Sequence, residues 1–525
     1  MPGDLLARRL PASGDLLGRL TVELTAEQSA AIDRRQGSLL LDAAAGSGKT
    51  SVLVERFVRS VVEDEVPLRA ILAITFTEKA ATELRERIRR RLREVGAGEA
   101  ARAAEGAGIS TIHSFCARTL RAHALRAGLD PAFAVLEAHE ARELADAAFD
   151  GALAQAAREP GGAELIAAHG PATLRGAIVA IHDELRSRGQ QHPSLPPLGS
   201  PERCEPSVAA ALGAAREAAV ELGAIPEPPV RVGQALDALG RAEAALAGGT
   251  VPWPGELAAL MLPARNGAAA LKSDACERYR DALESLRDAS GRFHAVAARD
   301  ALDALLRGYA VRYSELKAAR SSLDFEDLEL GARALLELDE VRDHIRKSFA
   351  YVMVDEMQDT NRVQLELIDL VAAGNLFMVG DAQQSIYGFR HADVELFEER
   401  GRELAARGAR LSLRTNFRSR PAILAALNGA FATVLGDRFR ALVAGRVEPE
   451  AGGPRQPGGA QPRAAGSAVE LLVVDKGAEW ESDGLAAPWR LAEARALAGR
   501  MKAGIEAGEW GAGDAVVLTR AATDL

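Results

Sequence analysis

Aromatic residues are scarce in this sequence: they make up 4% of its 525 residues, and only three residues are cysteines. Cys116, Cys204 and Cys276 lie far apart and form no C-x-x-C pair. This argues against a disulfide framework or a zinc site and fits a reducing, cytoplasmic compartment. The sequence also has no apolar run of about 18 residues, the length that a membrane-spanning helix needs.

An excess of basic residues is missing too, because the net charge is −10 and the isoelectric point is near 5.6. This balance argues against a protein that passively coats DNA, but a local basic track remains compatible with it. The length allows two to four domains, and the abundance of Ala, Leu and Arg favours helices. Residues 1–20 have no continuous apolar stretch, so they indicate a poorly ordered leader and not a signal peptide.

Short apolar runs alternate with helical patterns over residues 22–125, which predicts a parallel sheet. The runs lie at 38–41 and 71–76, and the helix after the second run has Leu84, Ile88, Leu92 and Val95 on one face. The strand signal then vanishes from about 133 to 320, which predicts an all-helical insertion. Its expected helices are 137–158, 208–223, 233–248 and 277–318.

Apolar runs return at 351–354, 376–379 and 411–413. A Gly-, Pro- and Arg-rich stretch at 452–466 is typical of a linker. Beyond it, residues 469–474 and 515–518 are predicted strands of another α/β unit.

The segment AAAGSGKT at 43–50 follows the first apolar run directly. Gly46 and Gly48 let backbone N–H groups point into one concavity, and a helix that begins near Lys49 adds its positive end. Lys49 would reach the β- and γ-phosphates of a nucleotide, and the Thr50 hydroxyl would bind Mg²⁺. The first glycine of the general pattern is Ala43 here, and an ordinary glycine-rich turn is the alternative.

A second candidate for nucleotide chemistry is VDEMQDTN at 354–361, after the apolar run YVMV. Asp355 at a strand end suits Mg²⁺, and Glu356 can accept a proton from an attacking water. The alternative is a solvated acidic exit from a strand.

Eight motifs in order resemble those of superfamily 1 DNA helicases of the UvrD/Rep type. They are LTAEQSAAI (24–32), AAAGSGKT (43–50), AITFTEKAATELRERI (73–88), ISTIHSFCARTLR (109–121), LDFEDL (323–328), VDEMQDTN (354–361), VGDAQQSIYGFR (379–390) and LRTNFRSRPAIL (413–424). The wording is most similar to the AddA/RecB branch. A P-loop kinase or an AAA-type ATPase would lack the QSIY and NFRS elements.

The resemblance implies an α/β fold, with a P-loop RecA-like parallel-sheet motor domain, a large all-helical insertion and a truncated second RecA-like domain. The expected boundaries are 21–125 and 320–410 for the motor domain, 126–319 for the insertion and 411–525 for the second domain, with a flexible loop at 450–467. The sequence contains no match to motifs V and VI of the family, so we expect an incomplete chain.

The resemblance also implies roles in binding and hydrolysing ATP with Mg²⁺. Gln28 would read the adenine edge, Phe417 would stack on the base, and residues Ala43, Ala44, Ala45, Gly46, Ser47, Gly48, Lys49 and Thr50 would hold the phosphates. Gln384 and Arg418 would contact the γ-phosphate. Gln358 and Asp359 would couple the acidic segment to the motif that contains Gln384.

For DNA, the resemblance points to Phe76, His113, Tyr387, Phe389 and Arg390. Aromatic faces stack on any base, which suits a translocase, but core packing is the alternative for Phe76 and Tyr387. Residues 78–94 hold seven basic and four acidic side chains. Arg89, Arg90 and Arg91 would either touch phosphates or form a salt-bridged helix surface.

The expected function is an ATP-dependent 3′–5′ DNA helicase that acts on single-stranded DNA in recombinational repair, with a partner helicase–nuclease subunit. The alternative is an ATP- or DNA-binding fragment, or an interaction subunit, that does not unwind DNA.

Overall fold

The computed structural model describes residues 24–519, apart from 160, 200–204, 249–250, 266–268, 389–390, 447–468, 479 and 481–486. The described residues form two compact units, one within Met1–Asp42 and Thr50–Leu411 and the other within Ala43–Lys49 and Ser412–Leu525. The expected leader at 1–20, the loop at 450–467 and Cys204 lie outside the described residues.

Within the described residues, ten strands and nineteen α-helices are numbered in chain order. The strands are β1 (Leu39–Ala43), β2 (Ile71–Thr75), β3 (Gly108–Thr111), β4 (Ala134–Val135), β5 (Ser322–Leu323), β6 (Tyr351–Val354), β7 (Leu376–Gly380), β8 (Arg410–Leu413), β9 (Thr415–Asn416) and β10 (Val443–Ala444). The helices up to the insertion's end are α1 (Ala26–Asp33), α2 (Lys49–Val62), α3 (Glu78–Glu94), α4 (Gly98–Ala103), α5 (Ile112–Ala122), α6 (Ala124–Ala127), α7 (Ala138–Ala156), α8 (Gly162–His169), α9 (Pro171–Ser187), α10 (Glu205–Gly223), α11 (Val230–Leu246), α12 (Pro254–Ala258) and α13 (Asp274–Ala319). The remaining helices are α14 (Phe325–Leu336), α15 (Asp339–Ser348), α16 (Arg362–Val371), α17 (Val394–Ala406), α18 (Pro421–Leu435) and α19 (Pro488–Glu506).

A six-stranded sheet in the order β3-β2-β6-β7-β1-β8 organises the first unit. The first five of these strands pair in parallel. Every residue of β1, β2 and β7 is buried, as expected for strands covered on both faces. The expected α/β class with a parallel sheet is therefore confirmed. The strand β8, which the sequence placed at the start of a second domain, lies at the edge of this sheet and spans the boundary between the two units.

The insertion between β3 and β6 is helical, as predicted, and its helices surround two separate apolar cores. One core contains Phe149, Ile178 and Tyr309, and the other contains Leu239, Tyr279 and Leu286. The helix α13 has 46 residues and contributes side chains to both cores. The sequence did not anticipate α8 and α9. It also missed the short parallel pair β4–β5, which joins the two ends of the insertion.

The helix α3 buries the predicted apolar face, because Leu84, Ile88, Leu92 and Val95 are all inaccessible to solvent. On its other faces, Arg91 pairs with Glu55 at 2.8 Å and Arg89 pairs with Glu105 at 2.9 Å. For these two arginines the structure favours the salt-bridged surface over the alternative of phosphate contacts.

A buried arginine of α2 binds the end of the helix α1. Arg56 is almost fully buried, and its Nη1 donates to the carbonyl oxygens of Ala31 at 2.6 Å and Arg34 at 2.7 Å. These carbonyls lie at the C-terminal end of α1, where backbone acceptors have no partner within the helix and a positive charge is favourable. Burial lowers the pKa of Arg56 to about 10, so its guanidinium remains charged at neutral pH.

A buried ionic cluster joins the end of α13 to the start of α14. Lys317 Nζ lies 2.5 Å from carboxylate oxygens of both Asp324 and Asp327, and 4.2 Å from the ring centroid of Tyr313. Asp324 also caps α14, since its Oδ1 accepts from the backbone N–H of Asp327. The conformation at the end of the insertion is thereby fixed by charge as well as by packing.

The second unit contains the parallel pair β9–β10 and the helices α18 and α19. The strands predicted at 469–474 and 515–518 do not form in the described residues, so that prediction was wrong. Both segments lack regular secondary structure, and Leu471 and Leu518 are about nine-tenths exposed. An apolar run becomes a strand only when a neighbour pairs with its backbone groups. No helix in the described part of the chain is long and apolar enough to cross a membrane.

The carboxyl group of Glu326, next to this ionic cluster, leads to a testable prediction about how stability depends on pH. Burial and the nearby Asp324 charge raise the pKa of Glu326 to about 7, above the value of about 4.3 for an unfolded chain. Ionisation of Glu326 therefore costs folding free energy as the pH rises from about 4.3 to 7. We expect Glu326→Gln to raise the unfolding free energy by about 3 kcal/mol more at pH 8 than at pH 4.5.

Urea unfolding at the two pH values measures this difference. The control is Glu337→Gln, which changes an exposed carboxylate at the end of the same helix. An equal effect of Glu326→Gln at both pH values would contradict the assigned shift.

Candidate nucleotide-binding and DNA-binding sites

The loop between β1 and α2 has the backbone geometry that the sequence predicted. Gly46 and Gly48 have φ values of 67° and 87°, in the left-handed region that glycine adopts without strain. Ser47 is buried, and its hydroxyl donates to the carbonyl oxygen of Ala44 at 2.7 Å. Because α2 begins at Lys49, its first backbone N–H groups have no acceptor within the helix, and such a helix start favours an anion.

Asn416, which sequence reasoning missed, fixes this loop to the segment that contains Arg418. Its side-chain Nδ2 donates to the carbonyl oxygen of Ala45 at 2.6 Å. Its Oδ1 accepts from the backbone N–H groups of Arg418 at 2.9 Å and Ser419 at 2.8 Å. An asparagine that binds nearby backbone groups is a common turn device, but the sequence does not reveal its second partner 371 residues away.

Phe417 and Arg418 lie on the segment that Asn416 binds to the phosphate loop, and both are exposed. The backbone N–H of Phe417 donates to the carbonyl oxygen of Gly46 at 2.9 Å, while 41% of the residue's surface stays accessible. The segment therefore brings the predicted base-stacking residue and the predicted γ-phosphate contact to the phosphate loop, with their side chains accessible.

The acidic segment after β6 contains a strained residue. Glu356 has φ 51° and ψ 43°, a left-handed conformation that is uncommon for residues other than glycine. Such strain costs about 1–3 kcal/mol and is found most often at functional sites. The backbone N–H of Asp355 donates to the Ile74 carbonyl oxygen at 2.9 Å, so the neighbouring strand β2 fixes the start of the segment.

Gln358 links the acidic segment to the loop after β7, as the resemblance implied. Its Nε2 donates to Glu356 Oε2 at 2.9 Å and to Asp359 Oδ2 at 3.1 Å. Its Oε1 accepts from the backbone N–H of Asp381 at 2.8 Å. The side-chain amide of Gln384 donates in turn to Asp381. The predicted proton acceptor and the predicted γ-phosphate contact therefore belong to one hydrogen-bonded network.

The side chain of Gln28, the predicted adenine contact, forms a hydrogen bond with the residue that caps α1. Its Oε1 accepts from the backbone N–H of Thr25 at 3.1 Å, and the Thr25 hydroxyl accepts from the Gln28 N–H. This reciprocal pair is a capping box at the start of α1. The capping box orients the side chain and uses one of the two acceptor positions on its oxygen.

The residues predicted to contact DNA form two aromatic pairs in the first unit. Phe76 follows β2, and its ring centroid lies 4.8 Å from that of Tyr387, which comes after β7. His113 follows β3, and its ring lies 4.5 Å from that of Phe325 at the start of α14. Phe325 is 47% exposed and was not singled out from the sequence. Phe389 and Arg390 lie outside the described residues.

The donor set after these strands fits a nucleotide with a divalent cation. Magnesium prefers oxygen ligands such as hydroxyls and carboxylates. Thr50 at the start of α2 and Asp355 at the end of β6 supply one of each, and both β1 and β6 belong to the same parallel sheet. Thr50 and Asp355 are therefore the residues of the first unit that could hold Mg²⁺.

Comparison with known protein families gives an independent finding. Residues 24–405 match the model of the UvrD/REP helicase N-terminal domain. The chain belongs to this family. The membership is consistent with an α/β motor domain that carries a helical insertion, and it covers every predicted site residue except Phe417 and Arg418.

Individual relatives agree with the likeness to the AddA branch. The chain is 32% identical to the AddA subunit of an ATP-dependent helicase/nuclease of Moorella thermoacetica, over 86% of this chain and 37% of that protein. It is 30% identical to the protein of the same name from Geobacillus kaustophilus, over 91% of this chain and 44% of the relative. The chain thus spans about two-fifths of the length of the curated relatives it matches.

The contact between Gly46 and Asn416 makes a prediction about nucleotide binding. A Cβ atom at Gly46 would lie 2.7 Å from Arg418 Cβ and 2.8 Å from Asn416 Nδ2, in a backbone with positive φ. We therefore expect Gly46→Ala to reduce the affinity for a fluorescent ATP analogue at least tenfold, as measured by equilibrium titration.

Gly37→Ala is the matched control. Gly37 also has positive φ, at 76°, but nothing lies within 4 Å of its added Cβ. It should therefore cost about 1 kcal/mol of stability from backbone strain and leave nucleotide affinity unchanged. Equal losses of affinity in the two variants would show that strain alone, and not the close approach of Asn416, explains the effect.

Proposed function

We propose that this chain is the N-terminal motor part of an ATP-dependent DNA helicase, with a cycle of ATP hydrolysis that is stimulated by single-stranded DNA. The observation that carries the proposal is the edge of the parallel sheet at which β1, β6, β7, β2 and β3 end. In the first unit the acidic segment, the Gln384 loop, Phe76 and His113 follow β6, β7, β2 and β3, and in chain order the phosphate loop follows β1. In parallel α/β sheets, ligands bind at this carboxyl edge.

In the proposed cycle, the backbone donors at 43–50 and the Lys49 ammonium bind the phosphates of ATP, and Thr50 and Asp355 hold Mg²⁺. The cation neutralises charge on the phosphate oxygens when it is bound. Glu356 orients the attacking water and accepts its proton. The hydrogen bond from Gln358 and the strained backbone hold that carboxylate in one position. Such preorganisation lowers the cost of reaching the transition state.

The remaining nucleotide contacts are assigned by motif. Gln384 and Arg418 contact the γ-phosphate, Gln28 binds the adenine edge, and Phe417 stacks on the base. The network from Glu356 through Gln358 and Asp381 to Gln384 supports a γ-phosphate sensor, because loss of the phosphate would remove one partner of Gln384 and leave the others in place.

For DNA, we propose that Phe76, Tyr387 and His113, with Phe389 and Arg390, contact single-stranded bases and phosphates. The Phe76–Tyr387 pair packs at 4.8 Å, so the core-packing alternative and the stacking role are compatible here: one ring supports the other. Phe325 supports His113 in the same way.

The finer assignments follow the resemblance to UvrD/Rep-type helicases and their AddA/RecB branch. The names of the relatives describe one subunit of a helicase/nuclease. We propose 3′–5′ movement, a role in recombinational repair, a cytoplasmic location and a partner helicase–nuclease subunit. The two described cysteines, Cys116 and Cys276, are free thiols, in agreement with a reducing compartment.

ATP hydrolysis by the full chain tests the proposal. We expect a heteropolymeric single-stranded oligonucleotide to increase the hydrolysis rate at least tenfold, and Lys49→Ala to remove at least 99% of the stimulated rate, because the γ-phosphate loses its nearest counter-charge. Phosphate release, followed in a coupled assay, measures both rates. Lys347→Ala, at an exposed lysine of α15, is the control and should match the wild type.

Two outcomes would count against the proposal. If nucleotide binds but DNA does not alter hydrolysis in this chain or in the longer relative from Moorella thermoacetica, the motor assignment is wrong. If only the longer protein responds, this chain binds ATP or DNA without working as a motor by itself.

Stacking on Phe76 can be tested separately. One base–aromatic stack is worth about 1–3 kcal/mol, or about 5- to 150-fold in affinity. We expect Phe76→Leu to weaken binding of labelled dT and dA oligonucleotides by similar factors in this range, as measured by fluorescence anisotropy. Trp253→Leu, which removes an aromatic side chain of the helical insertion that stacks on His294, is the control. Unchanged affinity in Phe76→Leu would favour pure core packing.

A further inference from the structure

A buried carboxylate in α14 has no role in the proposed chemistry. Glu329 is 4% exposed, and an ionised group at such a depth is costly unless donors surround it. Its Oε1 accepts from Gln364 Nε2 at 2.6 Å and lies 2.9 Å from His113 Nε2. Its Oε2 accepts from Asn361 Nδ2 at 3.2 Å. Three side chains from two other helices therefore converge on one carboxylate.

These partners stand next to the two proposed ligand sites. His113 is the second residue of α5 and a proposed DNA contact. Asn361 is the last residue of the acidic segment that begins with Asp355. Glu329 thus connects a base-contacting side chain to the segment that contains the proposed catalytic carboxylate, through one hydrogen-bonding group on each side.

Asn361 is important for this connection because its side-chain amide forms two hydrogen bonds. Its Oδ1 accepts from the backbone N–H of Gln364 at 2.8 Å and caps α16. Its Nδ2 donates to Glu329. A shift of Glu329 therefore acts directly on the side chain that ends the acidic segment and begins the next helix.

A second carboxylate binds residues that lie on either side of His113 in the chain. The hydroxyls of Thr111 and Ser114 both donate to Glu78 Oε1, at 2.8 Å and 2.7 Å. Hydrogen bonding from Ser114, with that from Thr111, lowers the pKa of Glu78, so this carboxylate remains ionised. Glu78 begins α3, two residues after Phe76. The N-terminal ends of α3, α5 and α16 are thereby joined by side chains around the DNA-facing aromatic pairs.

We propose that Glu329 is a positioning residue that couples the binding of single-stranded DNA at His113 to the state of the acidic segment at 355–361. This inference rests on the proposed function. Displacement of the His113 ring by a bound base changes its hydrogen bond to Glu329, and the carboxylate transmits the change to Asn361. Coupling of this kind is measured as a mutual change in the affinities of two ligands.

The measurement is therefore a linkage factor. The affinity of the full chain for a fluorescein-labelled dT oligonucleotide is determined by anisotropy, with and without a non-hydrolysable ATP analogue and Mg²⁺. The ratio of the two dissociation constants is the factor by which nucleotide and DNA influence each other. It does not depend on turnover, and a residue with a purely structural role would leave it unchanged.

Two variants break the connection from opposite ends. Glu329→Gln places an amide N–H₂ against at least one of the donors that the carboxylate now accepts from. Asn361→Ser keeps a hydroxyl that can cap α16 but removes the amide Nδ2 that donates to Glu329. Glu337→Gln is the matched control, because it makes the same chemical change at an exposed position at the end of α14. Circular dichroism establishes the melting temperature of each variant.

In the wild type we expect a linkage factor of at least about fivefold, the lower range of measured allosteric coupling. Both Glu329→Gln and Asn361→Ser should bring the factor to within twofold of one. The Glu337→Gln factor should equal that of the wild type. Because Asn361→Ser preserves the helix cap, its linkage factor tests the inference even if Glu329→Gln does not fold.

A wild-type factor in Asn361→Ser, or a factor of one in the wild-type chain, would overturn the inference. A lower melting temperature with an unchanged factor would do the same, since it would show that Glu329 serves only stability. Failure of the wild type to bind the oligonucleotide is a different result, because it would overturn the proposed DNA-binding function itself.

Discussion

The pairing of β6 between β2 and β7 brings the functional segments of the first unit to one edge. These strands come from residues 71–75, 351–354 and 376–380, so the chain travels through the whole helical insertion before β6 can close the sheet. Parallel pairing then requires that the residues after each strand leave at the same edge. Phe76, Asp355 and Asp381 are neighbours for this reason, and the polar network around Gln358 is built on that neighbourhood.

The two ends of the insertion must also lie close together. Its chain leaves after β3 and returns before β6, and the two-residue pair β4–β5 brings these ends together. The Lys317 cluster lies just beyond, where α13 stops and α14 starts. Because α14 carries both Phe325 and Glu329, the conformation of this return point decides where an aromatic ring and a buried carboxylate meet His113.

The sequence predicted those parts of the molecule that depend on local chemistry. Gly46 and Gly48, followed by Lys49, predicted a phosphate-binding turn. The spacing of Leu84 and Ile88 predicted the apolar face of α3. Contacts between distant segments carried no such signal: neither Asn416 nor Glu329 could be assigned a partner from spacing. The segments at 469–474 and 515–518 were apolar enough for strands, but the pairing that defines a strand is not encoded by one segment. Arg89 and Arg91 show the same limit, since their acidic partners lie on other elements.

The helix α13 has a mechanical consequence. At 1.5 Å per residue, its 46 residues form a rod of about 69 Å. One end is clamped by the Lys317 cluster near the sheet, and the other carries the separate core around Tyr279. A rotation of about 5° at the clamp would move the far end by about 6 Å if the rod stays straight. The Ser290–Gly291 pair near its middle is the type of sequence at which such a rod bends. The position of the helices around Tyr279, at one end of α13, therefore depends on the few charged atoms that hold its other end.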